Sequence, residues 1–550
     1  VVDSKQWNWS SLIIDWVKPF GVIFINLLKL IAIPLIVASL IKGISDLKDL
    51  SSLSSLGGRT VVLYLMTTVV SVTLGLVIVN LVQPGIGFSE ETRAALTSDF
   101  EGDAVRRIDR LAETGLRFDN AFLTASSCSP SRASIVTGRY PHNNGKAAEL
   151  HLPIDPRLPW FPQRLREKGY YTALVGKNHM KKGPSADTNT PPNKAFDLID
   201  NGQLNNNHGG HGKWVATLRN RPKNQPFFFW FASTDAHRGW DADREWKPQY
   251  GPPHTPEHVE VPPFLVDDQP TRRDLASYYN EVTRFDYYIG QVVNALKEEK
   301  LYDNTVILVL ADNGRPFPRA KTRLHDSGMK TALVAHWPNR MKTPAVTDSL
   351  VSAIDIAPTL LLLAGIQPGP TFQGTDFSSL FSQPKTMIRR FAFSEHNWHD
   401  YEAHGRSVRD QSGFVLISNQ RPGKPWQGPA DSVRSPSHQS LLTARQRKVL
   451  TVHQRDVFAA PRKEYELFNS RTDPDQIHNL IGKSEHRAKE TELRLILKKW
   501  SVQTRDSVPS QLSQDSFDRV TGDRIKSNGY RGVTPGEDLK ASLSDHPGPR

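Results

Sequence analysis

A single cysteine, Cys128, stands in a segment whose residue types favour binding an anion. It precedes Ser129 and Pro130 in CSPSRASIVTGR, with Arg132 one helical turn further on. Ser129 is a preferred N-cap residue and Pro130 suits the first helical position, so the pattern predicts a helix that ends before Gly138. The free amides and positive dipole end of such a helix, with the guanidinium of Arg132, favour an oxyanion such as sulfate.

Further cationic, imidazole and carboxylate side chains follow three apolar runs, YYTALVG, PFFFWFAS (226–233) and NTVILVLAD (304–312). Near-continuous apolar runs bounded by turn residues are typical of buried parallel strands, and sites of α/β proteins form at the carboxyl ends of such strands. Imidazoles suit proton transfer near neutral pH. The candidate residues are Lys177, His179, His237, Asp312, Asn313 and Lys321.

The segment CSPSRASIVTGR, followed in order by GKNH, DAH and DNG, resembles the sulfatase family. The resemblance covers about residues 104–503 and implies an α/β fold, the alkaline-phosphatase-like sandwich with a mixed central sheet. It also implies that a formylglycine-generating enzyme oxidises Cys128 to Cα-formylglycine. One hydroxyl of the hydrated aldehyde then attacks sulfur, and the other expels sulfate by re-forming the aldehyde, which divides one hard step into two.

The same resemblance assigns roles to the other catalytic candidates. It implies that Lys177 and Lys321 contact the sulfate group beside Arg132. It makes His179 the base that collapses the covalent intermediate, and His237 the acid that protonates the leaving group. The four motifs and Lys321, five features in family order, argue against a chance arrangement, although each alone is more often a solvated or structural feature.

The resemblance also implies a metal, calcium or another divalent cation, on Asp312, Asn313 and the modified Cys128. Sulfatases begin with a strand whose paired aspartates bind this metal, and no such strand is visible here. Calcium prefers several carboxylates, so we expect weak metal binding and slow turnover. The loss of a central strand also predicts two apolar sheet edges. Upstream acidic residues that could partly compensate are Asp99, Glu101 and Asp103.

The phrases DNGRPFPRAKT, SSCSPSRAS and HNNG look most like the heparan N-sulfatase (sulfamidase) branch. That likeness implies a glycosaminoglycan with sulfated glucosamine as substrate, cut at an N–S bond, with O-sulfate hydrolysis as the near alternative. The segment SEHNWHDYEAHGRSVRD suggests that His396, His399 or Arg406 touches the sugar.

The first part of the chain differs in kind. Residues 20–41 and 60–82 are apolar and long enough to cross a bilayer, which predicts two transmembrane helices, with a pair of buried helices as the alternative. Residues 17–86 resemble two helices of the dicarboxylate/amino acid:cation symporters. In that family Tyr64, Thr67 and Thr68 would lie at a sodium position.

These spans predict a membrane protein whose sulfatase domain lies on the periplasmic or extracellular side, because Lys and Arg in the short loop between them favour the cytoplasm. Residues 1–86 form the symporter-like part, 87–103 a junction, and the polar segment 504–550 a disordered tail.

The formal net charge of +12 favours anionic partners, and no nucleic-acid-binding motif is present. One cysteine excludes an internal disulfide. Two other functions stay open. One is a fragmentary symporter with an unrelated appendage, and the other is a protein that binds sulfated glycans without hydrolysing them.

Overall fold

The computed structural model describes most of the chain in detail. The described residues fall within the second of two compact units, Thr97–Arg550, apart from a short helical stretch at Met66 and Thr67. They are residues 66–67, 107–180, 191–204, 208–341, 344–426, 428–526 and 531–550.

Helices and strands alternate along the first part of this unit, and an antiparallel sheet follows. The α-helices of the unit are α1 (Arg107–Glu113), α2 (Cys128–Thr137), α3 (Phe161–Glu167), α4 (Pro191–Ala195), α5 (Trp214–Asn220), α6 (Gln269–Glu298), α7 (Asp326–Met329), α8 (Ile356–Leu363), α9 (Ala430–Val433), α10 (Pro436–Gln446), α11 (Val452–Arg455) and α12 (Arg487–Thr504). The strands are β1 (Leu116–Phe118), β2 (Ala121–Phe122), β3 (Tyr171–Gly176), β4 (Leu198–Asp200), β5 (Phe227–Ala232), β6 (Ile307–Leu310), β7 (Leu333–His336), β8 (Ala345–Thr347), β9 (Val351–Ser352), β10 (Phe391–His399), β11 (Tyr401–Asp410), β12 (Phe414–Asn419) and β13 (Tyr465–Asn469).

The strands form parallel, mixed and antiparallel sheets. One sheet has the order β4-β3-β5 and is parallel throughout. A second, β6-β7-β1-β8, is mixed, because β1 pairs with β7 antiparallel and with β8 parallel. The short strands β2 and β9 pair in parallel, and β10 to β13 form an antiparallel sheet in chain order. The predicted α/β class with a mixed sheet agrees with this arrangement.

Two predicted strands differ from the expectation of full burial. Strand β5 is parallel to β3 as predicted, but β6 pairs antiparallel with β7. All four residues of β6 and the first five of β5 are only half-buried. Among the described residues both are end strands of their sheets, so one edge of each has no described neighbour. The predicted loss of a central strand is not tested by these residues, and it stays a prediction.

Local interactions set where the elements begin and end. The long helix α6 starts at Gln269 because the side chain of Asp268 caps it by accepting a hydrogen bond from the Thr271 N–H at 3.0 Å. The short strands β1 and β2 are neighbours in sequence but belong to different sheets.

The polar segment 504–550 was predicted to be disordered, whereas its described residues have defined positions on the domain. Arg139 is fully buried, and its guanidinium donates to the Asp545 carboxylate at 2.9 Å. The amide of buried Asn143 donates to the Ala541 carbonyl at 2.7 Å. Buried polar side chains need such acceptors, and composition alone does not reveal this demand.

The predicted membrane localisation is contradicted by the structure. Among the described residues, we find no helix that is both long and apolar enough to cross a bilayer. The two predicted spans, 20–41 and 60–82, lie outside the described residues except for Met66 and Thr67, and so do Tyr64 and Thr68.

The end of α2 fixes the direction in which the chain leaves the site. Gly138 follows the helix with φ of 63°, as the sequence predicted, and its N–H donates to the Ser134 carbonyl. A Cβ atom on Gly138 would lie 2.8 Å from Cδ1 of Phe372 and 3.1 Å from the Ala357 side chain. Only glycine therefore fits this turn without displacing its neighbours.

Gly138→Ala is expected to lower the free energy of unfolding more than Gly365→Ala does. Gly365 also has positive φ, 73°, but nothing lies within 4 Å of its added Cβ. The free energy of unfolding of the control should therefore fall by about 1 kcal/mol, for the left-handed backbone alone. Overpacking at Gly138 should lower it by about 1–3 kcal/mol more. Urea unfolding followed by circular dichroism measures the free energy of both variants, and equal decreases would contradict the steric argument.

Candidate active site

The chain enters the candidate site at the start of α2. The helix begins at Cys128 itself, and Ser127, not Ser129, holds the N-cap position without a side-chain cap bond. The Ser127 hydroxyl is hydrogen-bonded to Nδ1 of His399 at 2.7 Å, while the Ser129 hydroxyl accepts from the His151 N–H at 2.8 Å. The predicted cap at Ser129 is thus corrected, because tertiary hydrogen bonds occupy both hydroxyls. Cys128 still lies in the first turn, where the helix dipole is positive.

Two lysines approach the sulfur of Cys128. The ammonium groups of Lys321 and Lys177 lie 3.3 and 3.5 Å from Sγ. Burial alone would raise the pKa of the Cys128 thiol, but the two positive charges outweigh burial and hold that pKa below its ordinary value. Conversely, burial would lower the pKa of Lys321, and the negative charges of Cys128 and Asp431 keep it raised. Lys321 therefore stays charged beside the sulfur.

A third cation is fixed by an ion pair. Arg132, one turn into α2, donates through Nε to Oδ2 of Asp312 at 2.6 Å and through Nη1 to the Lys177 carbonyl at 2.7 Å. The same Asp312 oxygen lies 3.7 Å from the Lys177 ammonium. Although burial opposes it, the charges of Lys177 and Arg132 hold the pKa of Asp312 well below its ordinary value. One carboxylate therefore balances part of the charge of three cations.

His237 lies at the mouth of the site and is exposed. Its Nδ1–H donates to the Arg238 carbonyl at 3.1 Å, which leaves Nε2 for a reacting group. Partial loss of hydration, together with the charges of Lys321 and Lys177, lowers the pKa of His237, while Cys128 opposes that shift. The imidazole therefore stays neutral near pH 7 until negative charge arrives beside it.

His179 is paired with a residue that the sequence analysis missed. Its Nε2 is hydrogen-bonded to Nδ1 of His151 at 2.8 Å, and the ring centroids are 4.8 Å apart. Burial and the charges of Lys177 and Arg132 lower the pKa of His179 to about 4. Burial and the neighbouring His179 lower the pKa of His151 to about 4 as well. No local sequence pattern marks His151, because its partner is 28 residues away.

The described residues do not fit the implied calcium ion. Calcium takes roughly six to eight oxygen ligands. Oδ1 of Asn313 is buried without a hydrogen-bond partner and could serve as one. Asp312, the carboxylate beside it in the sequence, is already bound to Arg132, and none of the clusters of potential metal ligands among the described residues includes it. Upstream acidic candidates that lie outside the described residues are Asp99, Glu101 and Asp103.

The three predicted sugar-contacting residues are all buried. Only His399 adjoins the nucleophile, through its hydrogen bond to Ser127. His396 is 6% exposed, with its ring centroid 6.1 Å from that of Trp426. Arg406 is completely buried, and its guanidinium donates twice to Asp506 at 2.7 Å. The structure therefore does not bring Arg406 to the surface of the site, because the segment after α12 supplies its partner.

Asp431 is a further residue that the sequence analysis missed. Its negative charge helps to keep the pKa of Lys321 raised, and its Oδ1 is buried without a hydrogen-bond partner. Asp431 lies in α9, more than a hundred residues beyond Lys321 in the chain. No motif near Asp431 relates it to Lys321, so sequence alone carried no signal for it.

Comparison with known families finds three matching models. The model described as Sulfatase matches residues 88–366, just over half of the chain. The model described as N-sulphoglucosamine sulphohydrolase, C-terminal, matches residues 320–416. The model of the sodium:dicarboxylate symporter family matches residues 7–113, about a fifth of the chain, which is too little to establish membership.

Similar proteins cover most of the described unit. An ulvan-active sulfatase from Formosa agariphila is 29% identical over 444 residues, which are 72% of this chain and 70% of the relative. The human N-sulphoglucosamine sulphohydrolase is 28% identical over 444 residues, covering 73% of this chain and 86% of that protein.

Solved structures support the predicted fold. A protein solved in complex with its substrate D-glucosamine-2-N,6-O-disulfate has a TM-score of 0.50 at 19% identity, covering 72% of this chain and 92% of that one. A structure from work on glycosaminoglycan metabolism by Bacteroides thetaiotaomicron reaches 0.54 at 20% identity, with 71% and 88% covered. The predicted alkaline-phosphatase-like sulfatase fold with a mixed sheet is confirmed.

Lys321→Met is expected to raise the pKa of Cys128 in protein that retains the unmodified thiol, because it removes the nearest positive charge. Cys128 is the only cysteine, so the ultraviolet absorbance of its thiolate during a pH titration, taken as the difference from Cys128→Ala to remove the tyrosine contribution, reports on it alone. Lys330→Met, which removes an exposed lysine nine residues away, is the control and should leave the titration unchanged. An unchanged midpoint in Lys321→Met would show that the ammonium does not control the thiol.

Proposed function

Because this chain belongs to the sulfatase family, we propose that it hydrolyses sulfate groups on sulfated glycans through a formylglycine made from Cys128. The contact that supports this most directly is the pair of lysine ammonium groups 3.3 and 3.5 Å from the Cys128 sulfur. An aldehyde-derived oxygen in place of Sγ would accept the same two hydrogen bonds. The hydrated aldehyde would supply the oxygen nucleophile for sulfur.

The cations around Cys128 suit a sulfate group. Lys177, Lys321 and Arg132 contribute three positive charges, and Asp312 offsets one. The planar guanidinium of Arg132 is held by the Asp312 carboxylate and the Lys177 carbonyl, so its orientation is fixed before substrate binds. Preorganised positive charge of this kind stabilises the negative charge that develops on the sulfate oxygens.

His237 is the proton donor to the leaving group in this proposal. Its Nδ1–H is held by the Arg238 carbonyl, so Nε2 is the nitrogen available to the substrate. Lys321 and Lys177 lower the pKa of His237, and a bound sulfate would offset both charges. The pKa of His237 should therefore rise when substrate binds, which charges the imidazole at the step that needs an acid.

The proposed substrate carries N-sulfated glucosamine. The match of the N-sulphoglucosamine sulphohydrolase C-terminal model to residues 320–416 and the likeness to the human enzyme of that name support this choice. Lys321 lies in the matched range and contacts the Cys128 sulfur. Hydrolysis of O-sulfate esters on glycans is the near alternative, and the two substrates can be compared directly in one assay.

We further propose that turnover is slow, because the described residues do not complete the metal site. A divalent cation would add positive charge beside the cleaved group. Without it, the Arg132 guanidinium is the cation that holds Asp312. The same observation favours a second candidate function, a protein that binds sulfated glycans through these cations without cleaving them.

Mass spectrometry of the peptide that contains Cys128 tests the proposal. In protein made with a formylglycine-generating enzyme, we expect a loss of ~18 Da, the difference between a thiol-bearing CH₂SH group and an aldehyde. Sulfate release from N-sulfated glucosamine should then fall by roughly 10³-fold or more in Cys128→Ala. Lys330→Met should retain full release. An intact thiol with glycan binding but no release would support the binding protein instead.

Calcium titration tests the incomplete metal site. We expect calorimetry to show no tight stoichiometric calcium binding, and a chelator to leave sulfate release and the unfolding midpoint unchanged. The physical reason is that Asp312, the one described carboxylate available, is already neutralised by Arg132. Tight one-to-one binding that Asp312→Asn abolishes would overturn this expectation, whereas binding that survives Asp312→Asn would lie elsewhere.

A further inference from the structure

Two histidines at the mouth of the site form a pair that no assigned role explains. Nε2 of His179 and Nδ1 of His151 are 2.8 Å apart, within ordinary hydrogen-bond distance. Both residues have left-handed backbones, with φ of 48° for His179 and 67° for His151. Non-glycine residues seldom adopt this conformation unless their surroundings impose it, and such residues cluster at functional sites.

The hydrogen bond leaves one free nitrogen at each end of the pair. Nδ1 of His179 is the nitrogen left for the site, and Nε2 of His151, an exposed residue, is left for solvent. Both rings are neutral near pH 7, since each pKa lies at about 4. Two neutral imidazoles can share this bond in two ways, with either ring as the donor.

We propose that His151 carries protons between His179 and bulk solvent. A proton that His179 accepts on Nδ1 displaces its Nε2 proton to Nδ1 of His151, and His151 then releases its own Nε2 proton to water. One proton leaves the site, no bond other than N–H bonds is made or broken, and both rings end neutral. Uptake at Nε2 of His151 runs the same steps in reverse and restores the first arrangement.

The segment that carries His151 is held firmly enough to maintain the pair. The His151 N–H donates to the Ser129 hydroxyl, next to Cys128. Two residues earlier, Glu149 accepts from Arg531 at 2.9 Å and from Ser513 at 2.6 Å. These contacts come from α2 and from the segment after α12, so His151 is fixed from two sides.

The charges that face the pair favour outward proton transfer. Lys177, Arg132 and Lys321 lower the pKa of His179, which Asp312 raises. The neighbouring imidazole of His179 lowers the pKa of His151, and Arg531 and Lys321 lower it as well. A cationic ring beside these groups is disfavoured, so a proton gained by His179 is passed on rather than stored.

The inference rests on the proposed function, in which His179 serves as a base, and kinetics of the full-length modified protein test it. We expect kcat for sulfate release to fall by about 10-fold to 100-fold in both His151→Gln and His151→Ala, with KM unchanged. Glutamine can keep a hydrogen bond to His179 but cannot pass a proton on. Added imidazole should restore part of kcat in His151→Ala.

Each kinetic outcome has a defined meaning. Full kcat in His151→Gln would overturn the relay and leave His151 a positioning residue. A decrease of kcat in His151→Ala that added imidazole does not reverse would also overturn the relay. His478→Gln is the matched control, because His478 is a largely exposed histidine whose ring lies 6.2 Å from that of His453, and it should retain full kcat.

A measurement without turnover separates this inference from the proposed function. In protein with ¹⁵N-labelled histidine, nuclear magnetic resonance should show a proton shared between Nε2 of His179 and Nδ1 of His151, with both rings exchanging between tautomers. His151→Gln should remove the exchange at His179. Rings locked in single tautomers would overturn the relay, whereas absence of sulfate release in the wild type would overturn only the proposed function.

Discussion

The concentration of positive charge around Cys128 is the constraint on which the rest of the site depends. Lys177 and Lys321 contact its sulfur, and against these two cations and Arg132 stand the carboxylates of Asp312 and, beside Lys321, Asp431. Charge so poorly balanced is costly to hold in a folded protein unless an anion shares the site. An excess of positive charge favours the binding of an anion, and together with burial it sets the direction of the pKa shifts of the thiol, carboxylate and imidazole groups at the site.

Distant parts of the chain maintain these charges. Lys177 follows β3 and Asp312 follows β6, so the carboxyl ends of strands in two sheets meet at the site. The negative charges of Cys128 and of Asp431 in α9 keep the pKa of Lys321 raised while it is buried. The start of α2 is held by the hydrogen bond between Ser127 and His399 at the end of β10. Each charged group at the site thus has a partner in another element of the fold.

Local patterns predicted the parts of this site that depend on neighbours in sequence. The spacing from Cys128 to Gly138 predicted α2 and its left-handed end, because capping and turn geometry are set within one turn of the chain. Arg406 was misjudged because its partner, Asp506, lies far away in the sequence. His151 was missed because its partner, His179, is also distant. Side-chain pairing across long separations leaves no periodic signal, so sequence alone could not supply it.

The neutral histidines follow from burial together with this excess of positive charge. Burial and the nearby cations Lys177 and Lys321 both disfavour protonation of an imidazole, so His237 and His179 are neutral near pH 7. A sulfate group that reaches the lysines removes that opposition. In the proposed mechanism binding and protonation are linked, because an anion that occupies the site raises the pKa of the histidines that exchange protons during its cleavage. Substrate binding and proton supply would then be one electrostatic event, and the proposed relay through His151 would determine how quickly that event repeats.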